Sequence, residues 1–320
     1  MFFESKMFFS TLIVGLACLV IACDVWAQES PAASQLCVVQ SAKITENSGI
    51  AYSHHYPNAI WTHNDSGSKP IVYLVSAETG ETLVEVELAA ALNKDWEDVD
   101  SFQYENKNYL LVADVGDNLR KRKSCQLCVF TEPEIELEDE GGDLPRTVEL
   151  DNWKEIRFEY EGGPCNCEAV AADMKSNQII LLEKVFLEDK RTPGIYFLQL
   201  PGEKTDGNLV ARRAGDLPLN NVTAMSLSAD GNKMVVRTYA AGYIYTKTAE
   251  QTWPEVLPGA TPQQIALPLQ RQAEGICFTP DGSGVVCSSE FRRRPLWLVP
   301  LKADEDLDQA QLDTNEPTMK

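Results

Sequence analysis

Five short segments of this 320-residue chain put an oxygen-bearing side chain at the head of a recurring pattern. They are Ser48-Gly49-Ile50-Ala51, Glu97-Asp98-Val99-Asp100, Glu168-Ala169-Val170-Ala171, Thr223-Ala224-Met225-Ser226 and Glu274-Gly275-Ile276-Cys277. Each opens on a hydroxyl or carboxylate, continues with a residue that is small in all but one segment, and then turns apolar. A fold that gathers Ser48, Glu97, Glu168, Thr223 and Glu274 around one axis brings three carboxylates together. Such a cluster must be protonated, spread by water or bridged by a cation. Oxygen-only donors with several carboxylates suit Ca2+, a hard cation of flexible coordination number. The competing reading is that these glutamates cap neighbouring backbone amides and hold no metal.

A second set of reactive types follows the segments: His63-Asn64-Asp65-Ser66-Gly67, Asp114-Val115-Gly116-Asp117-Asn118, Glu183-Lys184, Arg237-Thr238-Tyr239 and Ser289-Glu290, with Asp95-Trp96 just before Glu97. From these, Asp65 or Asp114 is expected to activate water, while Lys184 and Arg237 offset the charge of an anionic ligand. A solvated rim laced with salt bridges is the plainer alternative. The chain has no Gly-rich phosphate loop, zinc-protease helix or GxSxG elbow.

The elements that must position these groups read as strands. The second residues of the five segments are separated by steps of 49, 71, 55 and 51 positions. After each come short β-branched and aromatic runs such as Ile71-Val72-Tyr73-Leu74-Val75 and Ile179-Ile180-Leu181-Leu182, punctuated by turns such as Ala229-Asp230-Gly231 and Pro280-Asp281-Gly282. No stretch beyond the leader has a 3.6-residue apolar period. Repeats of about 50 residues with four strands each predict an all-β, five-bladed β-propeller. Cys37-Val38-Val39-Gln40 belongs to no unit, so it is expected to supply the missing outer strand of the last blade and close the ring. Thr131–Tyr160, inside the longest step, reads as a loop plus a fourth strand, with a sixth blade as the alternative.

The motifs Asn64-Asp65-Ser66-Gly67, Asp95-Trp96-Glu97-Asp98, Ala113-Asp114-Val115-Gly116-Asp117-Asn118, Cys167-Glu168-Ala169-Val170, Val222-Thr223-Ala224 and Ala273-Glu274-Gly275-Ile276 resemble a group of secreted bacterial propellers of uncharacterised function. The order Ser, Glu, Glu, Thr, Glu is also similar to the soluble calcium-activated nucleotidases (apyrases). That resemblance implies a five-bladed propeller with calcium held in its tunnel by Ser and Glu residues at matching positions. Thr223 departs from the serine of that family but keeps the hydroxyl. The nucleotidases' substrate-binding loops have no clear counterpart, so the resemblance implies fold and metal more than activity.

Composition narrows the partners. With Asp+Glu 48 against Lys+Arg 28, the formal charge is -20, which argues against binding a phosphate backbone. Residues 1–27 read as a signal peptide, with Lys6, an apolar run from Met7 to Ile21 and Val25-Trp26-Ala27 before the cleavage point. The run is too short for a confident membrane span. Val20-Ile21-Ala22-Cys23 offers a competing lipoprotein reading in which Cys23 is acylated. Residues 28–302 are then one exported domain, periplasmic or extracellular, and 303–320 an acidic tail.

In an oxidising compartment the remaining cysteines are expected to form disulfides. Cys277 and Cys287 are symmetric about Gly282, which predicts a cross-strand bridge. Cys125-Gln126-Leu127-Cys128 and Cys165-Asn166-Cys167 fit either disulfides or a zinc site, and Cys37 is the candidate unpaired thiol. The function expected from all this is a calcium-binding propeller acting on a phosphorylated or other anionic small molecule. The alternatives are a non-catalytic scaffold for a ligand or protein partner and a glycan-acting propeller.

Overall fold

The computed structural model describes residues 32–137, 145–200 and 209–302. The leader, Cys23 and the acidic tail lie outside the described residues. The first strand, β1 (Ser34–Val38), pairs antiparallel with the last and so becomes the outer strand of the final sheet. The first sheet runs β2 (Asn47–Tyr52), β3 (Ala59–Asn64), β4 (Ile71–Ser76) and β5 (Thr82–Leu88). The second begins with β6 (Trp96–Tyr104), β7 (Lys107–Asp114) and β8 (Cys125–Thr131). The chain then returns to the first sheet: β9 (Arg146–Leu150) pairs parallel with the outer edge of β5 before β10 (Lys154–Tyr160) completes the second sheet against β8. Thr131–Tyr160 therefore carries two outer strands where the sequence reading expects one.

The third sheet holds β11 (Cys167–Asp173), β12 (Gln178–Glu183), β13 (Gly194–Gln199) and β14 (Leu209–Asp216). It is joined to the second through a parallel pairing of β10 with β14, giving a continuous eight-stranded sheet. That pairing covers two outer edges which would otherwise be open to a foreign strand. The fourth holds β15 (Val222–Leu227), β16 (Lys233–Thr238), β17 (Gly242–Thr246), the short helix α1 (Trp253–Val256) and β18 (Gln263–Ile265). The last holds β19 (Ala273–Phe278), β20 (Gly284–Ser289) and β21 (Pro295–Pro300), closed by β1.

The inner strands close a circle. β2 packs on β6, β6 on β11, β11 on β15, β15 on β19 and β19 back on β2. The architecture is all-β and propeller-like. Strands such as β4 and β12 are apolar on both faces because a neighbouring sheet covers each side. Buried hydrophobics accordingly divide into cores between adjacent sheets. Trp61 and Trp96 fill the core between the first two, and Met225, Tyr245 and Trp253 help fill that between the third and fourth. Near the axis the strands approach so closely that a side chain at Gly49 would put its Cβ 2.4 Å from the Val99 backbone nitrogen. That approach explains the small second residue of the recurring segments.

One residue breaks that rule for a reason. Asp98, fully buried, accepts hydrogen bonds from the backbone N–H of Val99 at 3.0 Å, Val170 at 2.9 Å and Met225 at 3.4 Å. Asp100 likewise accepts from the N–H groups of Ser101 at 2.9 Å and Ala172 at 2.7 Å. These carboxylates answer inner-edge donors that have no ladder partner. One side chain on β6 thus ties the second, third and fourth sheets together.

The predicted Cys277–Cys287 bridge is not formed. All seven cysteines of the described residues are buried free thiols. The hairpin pairs Phe278 with Val285, Cys277 with Val286 and Ile276 with Cys287, a register one residue away from symmetry about Gly282. One residue of offset turns the side chains to opposite faces. Cys277 enters the core shared with the first sheet and Cys287 the core shared with the fourth. Cys125, Cys165 and Cys167 share one core with Tyr160, whereas Cys128 faces another. The four thiols therefore do not converge as zinc ligands.

Candidate metal centre at the mouth of the ring

A feature invisible in the repeat delivers its first residues to the axis. In every sheet the pairing of the inner strand with its neighbour slips at the recurring segment: between Asn47 and Ile50, Trp96 and Asp98, Cys167 and Ala169, Val222 and Ala224, and Ala273 and Ile276. Ser48, Glu97, Glu168, Thr223 and Glu274 lie inside these β-bulges. A bulge frees a residue from the ladder and re-aims its side chain. All five are buried at one end of the ring.

They do not play equivalent parts. The Ser48 hydroxyl donates to the Glu97 carbonyl at 2.6 Å, and Thr223 does the same to the Glu274 carbonyl at 2.9 Å. Both hydroxyls pin one inner strand to the next. Lys184 forms an ion pair with Glu168 at 3.1 Å. Its ammonium lies 4.9 Å from the Tyr239 ring centre, a cation–π contact. Burial opposes the charge on Lys184, but Glu168, Glu274 and Tyr239 outweigh it and raise the ammonium's pKa. A protein cation thus already offsets two of the three glutamates that the sequence reading brings together. Glu274 still keeps one buried oxygen, Oε2, without a hydrogen-bond partner. Burial first, then Glu168 and Glu290, push its pKa up to about 8 against the opposing pull of Lys184 and Arg237.

The tightest carboxylate cluster lies beside this pair. Asp65, Asp95 and Glu97 present one oxygen each within 4.8 Å of one another, with Asp65 and Asp95 half-buried and Glu97 buried. Asp65 follows β3, Asp95 precedes β6 and Glu97 occupies the β6 bulge. Asn93 staples them: its amide donates to the carbonyls of Asn64 at 3.0 Å and Asp65 at 2.9 Å, and its oxygen accepts from Trp96 N–H at 3.2 Å. Asp95 is fixed through its N–H to Asp114 at 3.2 Å, and its carbonyl accepts from Gly116 N–H at 3.1 Å. Burial and neighbouring carboxylates raise Asp65 to about 7 and Asp95 to about 6. Burial, Glu168, Asp65 and a hydrogen bond with Glu168 raise Glu97 well above the ordinary range.

Gly116 leaves the space this cluster occupies. A Cβ there would lie 2.0 Å from Glu97 Oε1 and 2.6 Å from Asp95 Oδ2. The residues therefore fit a hard divalent cation on three counts: an all-oxygen set, mutual repulsion that the nearby Arg122 relieves only in part at Asp95, and a cradle kept free of side chain. If the cluster holds calcium, Gly116→Ala should weaken its binding about tenfold or more, by displacing two of the three carboxylates. Isothermal titration of both proteins checks it.

Two expected catalytic groups are occupied elsewhere. Asp114 is fully buried, pairs with Arg122 at 2.7 Å and accepts from Gln126 at 3.1 Å. Arg237 is equally buried and donates to the carbonyls of Gly275 at 2.7 Å and Ser288 at 2.8 Å and to Gln270 at 2.7 Å. It clamps the fourth sheet to the last. His63 is buried against Trp96, and burial lowers its pKa to about 4. Asn93 is the residue sequence reasoning passes over, while Asp95 and Gly116 stand in the quoted motifs without a part in the metal set. Their signal was the Asp-x-Glu spacing of Asp95 and Glu97 and a glycine two positions after Asp114.

The large cavity of about 500 Å³ lies at the other end of the ring, lined by residues that include Tyr52, Asp100, Phe102, Met174, Ser226 and Phe278. Asp98 stands between the two ends.

No protein-family model and no curated protein matches the sequence. Among solved structures the chain is similar to Myxococcus xanthus glutaminyl cyclase, at 9% identity over 84% of this chain and 97% of that one, TM-score 0.45. It is similar to a Xanthomonas campestris gluconolactonase at 10% identity over 84% and 89% of the two chains, TM-score 0.44. It is also similar to Kuenenia stuttgartiensis hydrazine synthase at 10% identity over 73% of this chain, TM-score 0.39, and spans only 66% of that chain's length. Likenesses this weak say nothing of what the present chain acts on.

Proposed function

We propose that the chain is a five-bladed β-propeller whose mouth binds calcium between Asp65, Asp95 and Glu97, beside Glu168, and that this centre hydrolyses an anionic small molecule such as a phosphate ester or anhydride. Five blades are supported by the cyclic packing of β2, β6, β11, β15 and β19, with the extra strands β9 and β10 lying on outer edges. The observation that carries the functional reading is the convergence of three carboxylate oxygens within 4.8 Å beside Gly116, where an added Cβ would meet two of the carboxylates.

Calcium bound there would supply an electrophile for a substrate oxyanion. Asp65, half-buried, would serve as a ligand carboxylate whose second oxygen accepts a hydrogen bond from the attacking water. Lys184, held by Glu168, keeps its charge at the edge of the site. Ser48, Thr223 and Glu274 fix the ring around it. The activity belongs outside the cytosol if residues 1–27 act as the leader they resemble.

A panel of nucleotides and phosphate esters, run with calcium and with a chelator, tests the reading. Turnover that requires calcium and is lost in Glu97→Gln supports it. Calcium binding without turnover of any member favours the second reading, a non-catalytic binding propeller. That reading draws on the burial of Asp114 and Arg237 in structural contacts, which leaves fewer groups free for chemistry.

A further inference from the structure

Most of the large hydrophobic side chains left exposed among the described residues lie at one end of the ring; Val38, 36% exposed, is on the outer strand β1, and Tyr104, 41% exposed, is at the β6–β7 turn of the opposite end. Leu92 is 63% exposed, Leu119 73%, Phe186 44%, Leu187 72%, Leu269 97% and Phe291 37%. They stand on the β5–β6, β7–β8, β12–β13, β18–β19 and β20–β21 connections. Because the strands alternate in direction, all five connections emerge at the end of the ring where β6 begins, around Asp65, Asp95 and Glu97.

Each apolar tip is followed by exposed basic residues. Leu92 precedes Lys94, Leu119 precedes Lys121 and Lys123, Leu187 precedes Lys190 after the acidic pair Glu188-Asp189, Leu269 precedes Arg271, and Phe291 precedes Arg292. Arg271 and Arg294 lie 5.6 and 5.2 Å from the Phe291 ring centre, which holds the aromatic and its cations as one unit. The turns of the opposite end are mixed and net acidic, exposing Glu78, Glu81, Glu105, Asp230 and Asp281 beside Lys107 and Lys175. On a chain of formal charge -20, the loops around the mouth thus carry most of the exposed large hydrophobics and an excess of exposed bases, around a central acidic cluster.

The arrangement selects the occupant. The tips sit on separate loops divided by ammonium and guanidinium groups, so they do not make the continuous apolar patch of a protein interface. A lipid headgroup layer accepts both kinds at once, with apolar tips entering the acyl boundary and the cations meeting phosphates. We propose that this face docks on an anionic phospholipid surface, with the mouth turned toward the bilayer. The proposal goes beyond the calcium reading and does not depend on it.

Sedimentation of the full chain with phosphatidylcholine vesicles, alone or with about one third phosphatidylglycerol, measures the docking. Binding should be about tenfold or more tighter with the anionic lipid, should persist in chelator and should fall at high salt. The double substitution Leu119→Glu with Leu269→Glu should weaken it by about tenfold while leaving the melting temperature unchanged, since both side chains are exposed. Because the thiols among the described residues are buried, a fluorophore on Leu187→Cys or on Glu105→Cys, in a chain with Cys18 and Cys23 replaced by serine, reports orientation: brominated lipid should quench the first and not the second. Equal binding to neutral vesicles, full binding by the double variant or equal quenching at both positions overturns the proposal. Binding that vanishes in chelator assigns it to cation bridging instead. Equally tight capture of polyglutamate, indifferent to the double substitution, assigns the face to an acidic polypeptide.

Discussion

Replacing Asp98 with alanine is expected to cost about 3–5 kcal/mol, enough to leave much of the chain unfolded under ordinary conditions. Asp98 has no exposed surface, and its carboxyl accepts from the N–H groups of Val99, Val170 and Met225. Alanine strands the Val170 and Met225 donors in a site that water does not reach, each at about 1–3 kcal/mol, and adds a small cavity. Asp98→Asn should cost less, because the amide oxygen can still accept while its NH₂ group meets donors. Burial, outweighing the three N–H contacts, raises the Asp98 pKa well above its ordinary value. Chemical denaturation of the three proteins checks the order alanine, asparagine, wild type. An alanine variant within about 1 kcal/mol of wild type would show that the ring does not rely on this pin.

The second large effect couples calcium to pH. In the metal-free protein the carboxyls of Asp95, Asp65 and Glu274 are raised to about 6, 7 and 8. Between the unfolded values near 4 and these folded values, the native protein keeps protons that the unfolded chain has released. Stability therefore falls as pH rises through that window and levels off above about 8. His63 has the opposite sign: its depressed folded pKa of about 4 costs stability only as pH drops below 6.5. From pH 6.5 to 8 the carboxyls act unopposed.

On the proposed calcium reading, a bound cation would take the place of the protons, so its stabilisation should grow over the same range. At calcium a hundredfold above its dissociation constant the gain is about 2.7 kcal/mol. That corresponds to a rise of roughly 5 °C in melting temperature at pH 8 for a domain of this size, and markedly less at pH 5. Glu97→Gln should abolish most of the response. Melting curves at several pH values, with calcium and with chelator, decide the matter. A metal-free protein that grows more stable from pH 6.5 to 8 would contradict the account.

The ring was legible because its period is written in residue types. The recurring Ser-Gly, Glu-Asp, Glu-Ala, Thr-Ala and Glu-Gly pairs mark where inner strands begin. The strands between them are apolar on both faces because each sheet lies between two others. The placement of β1 was also readable, since Cys37–Gln40 had strand character and no partner within its own stretch. What stayed hidden was every feature set by pairing register. The hairpin symmetry that predicted a Cys277–Cys287 bridge failed by one residue, and one residue reverses the face.

The same distinction runs through the candidate centre. The sequence alone determined which oxygens come to the mouth, because their types recur at fixed points of the repeat. Only the tertiary structure decided how they divide: Ser48 and Thr223 turned to backbone carbonyls, Lys184 laid on Glu168, and Asp95 brought in beside Asp65 and Glu97. The physical reason is that charge compensation in a buried cluster depends on distances of a few ångströms between segments far apart in the chain. Lys184 comes from the end of β12, Asp95 from the approach to β6 and Gly116 from the end of β7, and nothing local in their sequence fixes those separations. Residue type determined what could gather at the axis; the bulges and the closing of the ring decided which groups meet.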